Sequence, residues 1–368
     1  MNKVLLGDVA EEVRENYKET DGNPAVVGLE HLIPGEIRLK HWSEDTNTTF
    51  TKTFHKGQVL FGRRRAYLKK AAVAPVDGIC SGDITVISAK PDKILPELLP
   101  FVIQNDDFFD FAVGKSAGSL SPRVKWSKLK EYEFNLPSLP QQRKLAKLLW
   151  SFVDAKEAYE DLIRQTDELV KSQFIEMFGD PVINDHGWPT KPLKEVAPEY
   201  SPTLPEADSY WWLNLDMIET YSGRLLEKVM ATPEEIGNST STFDESMVLY
   251  SKLRPYLNKV FVPDDRGYAT TELVGMKPDS KILNKYFLFN LLRGDQFVAY
   301  ANGLSSGGQM PRIPMKALRD FKCILPPIDL QEHFVETSEQ SDKSKFELNE
   351  AIKDLDAMYK RIIKDNLG

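Results

Sequence analysis

The sequence predicts a mixed α/β protein of the α+β kind, built from two repeated domains separated by two long helices that pair with one another. Three observations carry this. Blocks of the first half recur in the same order about 189 residues later, too long a period for a solenoid, so a whole domain with its following helix is duplicated. Each repeat ends in a segment with helical or heptad spacing. Between these segments lie short β-rich runs without regular βαβ alternation.

The first domain spans 1–140. Gln58–Phe61, Ala71–Ala74 and Ile84–Ser88 read as strands, and Pro96–Phe111, apolar at helical spacing, reads as a helix. A central helix follows over 141–180, bounded upstream by Pro137 and Pro140 and downstream by Gly179-Asp180-Pro181. Leu145, Leu148, Phe152, Ala155, Tyr159, Leu162, Thr166 and Leu169 alternate steps of three and four, the spacing of a coiled-coil seam. The second domain spans 181–328, with 284–300 as the counterpart of the first domain's helix. The terminal helix covers 329–368, and Leu348, Ile352, Leu355, Tyr359 and Ile362 form its seam. The repeat is visible in GRRRAYLKKAAV (62–73) against SKLRPYLNKVFV (251–262), and in PRVKWSKL (122–129) against PRIPMKAL (311–318). NLPSLPQQ (135–142) against ILPPIDLQ (324–331) and LGDVA (6–10) against LKEVA (193–197) extend it.

Composition narrows the function. Hydrophobic residues make up 41% and charged residues 28%, an ordinary globular balance. No apolar run reaches the ~20 residues of a membrane span, and the early acidic residues at the N-terminus argue for the cytoplasm. Cys80 and Cys323 stand alone, and five His never pair at metal-ligand spacing, which speaks against a disulfide framework or a metal centre. A net charge of −8 argues against nucleic acid until it is divided. Residues 141–180 carry 6 cations against 8 acids and 329–368 carry 6 against 10, so most of the excess sits on the helices. Residues 1–140 are balanced at 19 each, and their cations cluster. Arg63, Arg64, Arg65, Lys69 and Lys70 form one acid-free run, and Lys115, Arg123, Lys125, Lys128 and Lys130 another. Basic stripes on an acidic chain are the footprint of a DNA reader with acidic helices.

Catalytic motifs are missing. Gly303 and Gly308 have P-loop spacing, but Gln309-Met310 follows where Lys-Ser/Thr is required. Paired carboxylates lie mostly on the helices, where a solvated face explains them. Two features recur instead. One is the basic hairpin, in which Arg63–Lys70 and the second copy's Arg254 and Lys259 would neutralise phosphates while Tyr67 and Tyr256 pack the stems. The other is a loop of small residues ending in Pro-Arg. It offers Lys115, Ser116, Ser119, Arg123 and Lys125 in the first copy and Ser305, Ser306, Gln309 and Arg312 in the second. Gly and Ser permit close backbone approach, and Arg grips a phosphate or a guanine edge. A solvated hairpin and an ordinary surface loop are the bland alternatives. Base readout should fall where the copies diverge, at about 38–58 and 226–246, with Asn47, Thr48, Thr49, Asn238, Ser239 and Thr240 as candidates.

Taken together, the LGDVA repeat, the LRPYLNK hairpin, the LPPIDLQ segment and Phe174-Ile-Glu-Met-Phe-Gly-Asp-Pro181 resemble the specificity subunit of type I restriction-modification systems. The resemblance covers essentially the whole chain. It implies that the two domains are target-recognition domains, each reading one half of a bipartite duplex site, and that the helices form an antiparallel coiled coil. It also implies that the coil, through Leu148, Phe152, Tyr159, Leu162, Leu169 and the terminal-helix seam, docks two methyltransferase subunits. Those subunits would bring S-adenosylmethionine and the catalysis, this chain needing no cofactor of its own, and a restriction-translocase subunit would be a further partner. A coiled-coil interaction scaffold with two adaptor domains is the competing reading, and an enzyme with an unrecognised active site a third.

Overall fold

In a computed structural model, which describes residues 2–17, 24–237 and 240–368, the chain divides into two compact units. One takes Met1–Asp161 with Leu348–Gly368, the other Leu162–Glu347, so each unit holds one globular domain and part of each long helix.

The strands of the first unit are β1 (Asn2–Leu5), β2 (Ala10–Val13), β3 (Ala25–Val27), β4 (Lys52–Phe54), β5 (Val59–Gly62), β6 (Ala71–Val73), β7 (Gly78–Cys80), β8 (Ile84–Ala89) and β9 (Glu133–Leu136). β2, β8, β5 and β6 form an antiparallel sheet. In a second sheet β7 lies between a parallel β3 and an antiparallel β4, while β1 pairs with β9 across the domain's ends. Every residue of β5 is buried, which is why that strand reads as an unbroken apolar run rather than an alternation. Its Phe61 packs on Phe108 at 5.5 Å and Phe109 at 5.8 Å.

The second unit repeats the plan with β10 (Thr190–Pro192), β11 (Tyr210–Leu213), β12 (Val229–Ala231), β13 (Thr240–Phe243), β14 (Val248–Ser251), β15 (Val260–Phe261), β16 (Gly267–Thr270), β17 (Leu273–Met276) and β18 (Lys322–Ile324). β14 pairs with β15 and β17 as β5 does with β6 and β8. β16 again lies between a parallel and an antiparallel neighbour, β11 and β13, and β10 pairs with β18. The additions differ: β12 extends the second unit's sheet, whereas a lone bridge from Glu199 to Met276 stands where the first unit has β2. One glycine is demanded at the same place in both. A Cβ on Gly78 would lie 2.3 Å from the Ala25 carbonyl oxygen, and one on Gly267 2.3 Å from that of Trp211.

Two expectations need correction. The helix read over Pro96–Phe111 is two helices, Leu99–Ile103 and Asp106–Gly114, and its counterpart is split into Lys285–Arg293 and Asp295–Leu304. The break comes at Asn105, whose side chain accepts from the Asp107 N–H at 3.2 Å as an N-cap, and at Gly294. Apolar spacing continues through such a break, so periodicity alone does not show it.

The long helices are Leu139–Phe178 and Ile328–Leu367, 40 residues each. They pack antiparallel within each unit. In the first unit Leu145, Leu149 and Val153 share a core with Ile363 and Leu367, and Lys156 meets Asp356 at 2.9 Å. In the second, Phe174 and Phe178 meet Phe334 edge-to-face, and Lys345 meets Asp167 at 2.6 Å. The seam of the central helix lies one position from the one expected. Leu148, Leu162 and Leu169 are 45%, 47% and 54% exposed, while Leu149 and Val170 are inside. Leu148-Leu149, Phe152-Val153, Leu162-Ile163 and Leu169-Val170 are apolar doublets, so heptad spacing fits either stripe equally well. The globular domain resting on the helix selects one. Phe152 and Tyr159 are half-buried beside the seam, as are Leu348, Ile352, Leu355, Tyr359 and Ile362 on the terminal helix.

The start of each helix is locked identically. Buried Gln142 accepts from the Leu95 N–H at 2.9 Å and donates to the carbonyls of Lys93 and Pro137. Buried Gln331 accepts from the Asn284 N–H at 2.9 Å and donates to those of Ile282 and Pro326. The Leu-Pro…Gln segment closing each repeat is therefore an amide bolt between helix and domain.

Candidate nucleic-acid interface

The basic segment Arg63–Lys70 joins β5 to β6 as a hairpin, and Lys252–Lys259 joins β14 to β15 in the same way. Each connection is a 3-10 turn, Ala66–Leu68 or Pro255–Leu257, held between two left-handed residues. These are Arg65 (φ 53°) and Lys69 (φ 51°) in the first unit, Arg254 (φ 50°) and Asn258 (φ 47°) in the second. A non-glycine residue there costs ~1–2 kcal/mol, and the same cost is borne twice. Backbone bonds to the small-residue loop offset it: Arg65 N–H donates to the Pro122 carbonyl at 2.8 Å, Arg254 N–H to that of Pro311 at 2.7 Å. The loop closes on itself through paired backbone bonds between Ala117 and Arg123, or Ser306 and Arg312, around glycines at φ +114° (Gly118) and +118° (Gly307). Hairpin and loop, 50–60 residues apart in sequence, thus form one platform in each unit.

An acid that sequence reading missed completes it. Arg123 donates from Nε to Asp83 at 2.7 Å, and Arg64 reaches the same carboxylate at 3.5 Å. In the second unit Arg312 donates to Glu272, with its closest bond 2.7 Å long. The arginine bonds hold both carboxyls below the usual range. Asp83 and Glu272 lie 189 residues apart, each just before a strand, so the repeat offset contained the signal. Bonding through Nε and one terminal nitrogen leaves the other terminal nitrogen of Arg123 pointing outward, a fixed cation on an exposed side chain; in Arg312 that nitrogen donates to the Met310 carbonyl.

The remaining candidates sort clearly. Arg65, Lys115, Ser119, Lys125 and Gln309 are exposed. Lys69 is paired with Asp106 at 2.6 Å. Lys70 and Lys259 turn inward, donating to the carbonyls of Leu29 (2.7 Å) and Leu215 (2.6 Å), and burial lowers the Lys259 pKa. Arg63 is half-buried with Nε unpartnered, and so is Nε of Arg254, whose terminal nitrogen donates to the Gln309 carbonyl. Ser116 and Ser305 donate their hydroxyls to the carbonyls of Ala112 and Ala301, finishing helices, while Ser306 is exposed. Tyr67 and Tyr256 do not pack the stems; they are 54% and 43% exposed, because the 3-10 turn carries them outward. Of the divergent segments, Asn47 and Thr49 are exposed, Thr48 and Thr240 are half-buried, and Asn238 and Ser239 lie outside the described residues. Arg38 faces the central helix instead, bonding Glu157 and Asp154.

Against known proteins, residues 4–165 and 233–355 match the family model described as the type I restriction modification DNA specificity domain. The type I restriction enzyme EcoDI specificity subunit of Escherichia coli is 30% identical over 145 residues, 37% of this chain and 31% of that protein. The MjaIX specificity subunit of Methanocaldococcus jannaschii is 26% identical over 311 residues, 77% of this chain and 70% of its own length. The chain thus spans less than a third of the first relative and over two thirds of the second. The fold matches a type I restriction-modification S subunit from M. genitalium, with TM-score 0.58 and 12% identity, over 100% of this chain and 96% of that one. It also matches a chain from a type I R-M system solved for its complex assembly and conformational transition, with TM-score 0.58 and 19% identity, over 99% and 97%.

Proposed function

Because this chain belongs to the type I restriction-modification DNA specificity family, we propose that it is a non-catalytic reader of a bipartite duplex DNA site. The single observation that carries the reading is the duplicated platform, on which a carboxylate fixes an arginine, exposed Arg123 or half-buried Arg312, beside a hairpin and a glycine turn. Residues 1–140 and 181–328 are the two target-recognition domains, and 141–180 and 329–368 the long helices that follow them. Positions shared by both platforms suit phosphates, which every sequence presents, and positions that differ suit bases. No observation favours a bare interaction scaffold.

Partners follow from the same reading. Leu148 and Met358 in the first unit, and Leu162, Leu169 and Phe346 in the second, are exposed apolar side chains on helices with no role in the seam. They offer anchor points for methyltransferase subunits, which would bring S-adenosylmethionine; a restriction-translocase subunit would join the same cytoplasmic complex. Co-expression with a methyltransferase partner and genome-wide mapping of methylated sites tests this. A split motif with a fixed spacer supports the reading, and methylation without sequence preference overturns it.

A further inference from the structure

Leu120 is 89% exposed, more than any other large apolar side chain among the described residues. It is not on slack chain. The turn carrying it is closed by the Ala117–Arg123 backbone pair, and Gly118, at φ +114°, makes the bend. The residues after it are pinned: Arg64 donates to the Ser121 hydroxyl at 3.1 Å, and Arg65 N–H to the Pro122 carbonyl. Arg65 and Arg123 are bonded to this turn, exposed Lys115 and Lys125 flank it in the chain, and Asp83 is bonded to Arg123 and Arg64. A single exposed leucine needs no explanation on an ordinary surface. One held on a hydrogen-bonded turn with cations on either side of it in the chain suits a polyanion with an apolar interior, and stacked bases between phosphates are that partner. In the second unit the same turn carries Gln309 at its tip, a side chain suited to a base edge.

We propose that Leu120 is a wedge that enters a base step of the half-site bound by the first unit, unstacking it; this rests on the DNA reading above. Apolar side chains inserted between base pairs are an established way to kink a duplex. The two units would then recognise their half-sites by different physics from one backbone frame, deformability in the first and edge contacts in the second.

The test uses the full chain assembled with its methyltransferase partner, as wild type and as Leu120→Ala, on duplexes with 2-aminopurine at successive positions of that half-site. Wild type should brighten one step, and the variant should leave it dark. Any position equally bright in both reports a base turned out by the partner. Cognate affinity should fall about tenfold, ~1.4 kcal/mol, with the salt slope unchanged because no phosphate contact is lost. Thermal unfolding should not move, since the side chain packs on nothing. A variant with unaltered brightening and affinity overturns the wedge and leaves the DNA reading standing. A wild-type complex that does not distinguish cognate from scrambled duplex overturns both.

Discussion

The two platforms share a backbone and differ in what they hang on it. Arg65 and Arg254 adopt the same left-handed conformation, make the same bond to the prolyl carbonyl of the loop, and sit beside the same arginine–carboxylate pair. Around that frame the first unit carries Arg63, Arg64, Lys69 and Leu120, where the second carries Lys252, Leu253, Asn258 and Gln309. Duplication preserved what is costly to rebuild, the strained turn and its hydrogen bonds, while the side chains carried on it diverged, from buried Asn258 to exposed Leu120 and Gln309. The same holds in the helices. Lys156–Asp356 in one unit and Lys345–Asp167 in the other are one ion pair copied, as are the two glutamine bolts.

The largest effect should come from breaking the bolts one at a time. Gln142→Ala leaves the Leu95 N–H and two carbonyls without partners at a buried site, and Gln331→Ala does the same to its own set. With three such groups at ~1–3 kcal/mol each, each substitution should lower stability by about 3 kcal/mol or more. Chemical denaturation with a probe in each domain would show whether each substitution acts on its own unit. Equal loss from both probes would join what the comparison separates.

Next in size is the carboxylate. Asp83→Asn frees both Arg123 and Arg64 from an ionised partner, whereas Glu272→Gln frees Arg312. Cognate affinity of the assembled complex should drop several-fold in each case through lost preorganisation, although one negative charge has gone. A gain in affinity would mean that the acid merely repels DNA. The proton linkage has a defined sign. Both carboxyls titrate below their ordinary range in the folded chain, so their stabilisation is present above about pH 4 and is lost as pH falls through the lowered values.

The basic triplet gives a third, smaller contrast. Replacing Arg63, Arg64 and Arg65 by Ala should weaken cognate and scrambled duplexes alike and flatten the salt dependence by about one unit per phosphate contact removed. Lys252→Ala with Arg254→Ala should flatten it less, because Arg254 is partly turned to the Gln309 carbonyl. Affinity measured from low to high salt separates the two.

The smallest is a pH effect confined to the first unit. Bonds to Glu15 and then Asp77 raise the His55 pKa. That stabilisation is fully present below the ordinary histidine value of about 6.5 and disappears as pH rises through the raised one. His55→Gln should remove this pH dependence from the first unit's unfolding and leave the second unit unaltered, since Asp244 holds the corresponding position.

Much of this architecture was legible in the sequence because duplication doubles the signal. A block such as RPYLNK against RAYLKK marks a frame even when neither copy would stand out alone. What was not legible has physical causes. The seam register hid in apolar doublets, which only the domain resting on the helix resolves. The exposure of Tyr67 hid in a 3-10 turn that local composition does not announce. Asp83 and Glu272 hid because their partners lie 40 residues on in the chain, and charge runs counted along the sequence ignore such pairs. The Lys115–Lys130 run, acid-free in sequence, is in part neutralised in space.

The separateness of the two readers is tested most directly by methylation mapping with Arg123→Ala and Arg312→Ala made singly in the full complex. Each lies on one platform, and each is fixed by an acid of its own unit. Arg123→Ala should relax or weaken one half of the bipartite motif while the other half and the spacer stay as in wild type, and Arg312→Ala should do the reverse. If either substitution degrades both halves together, the two units do not read DNA independently.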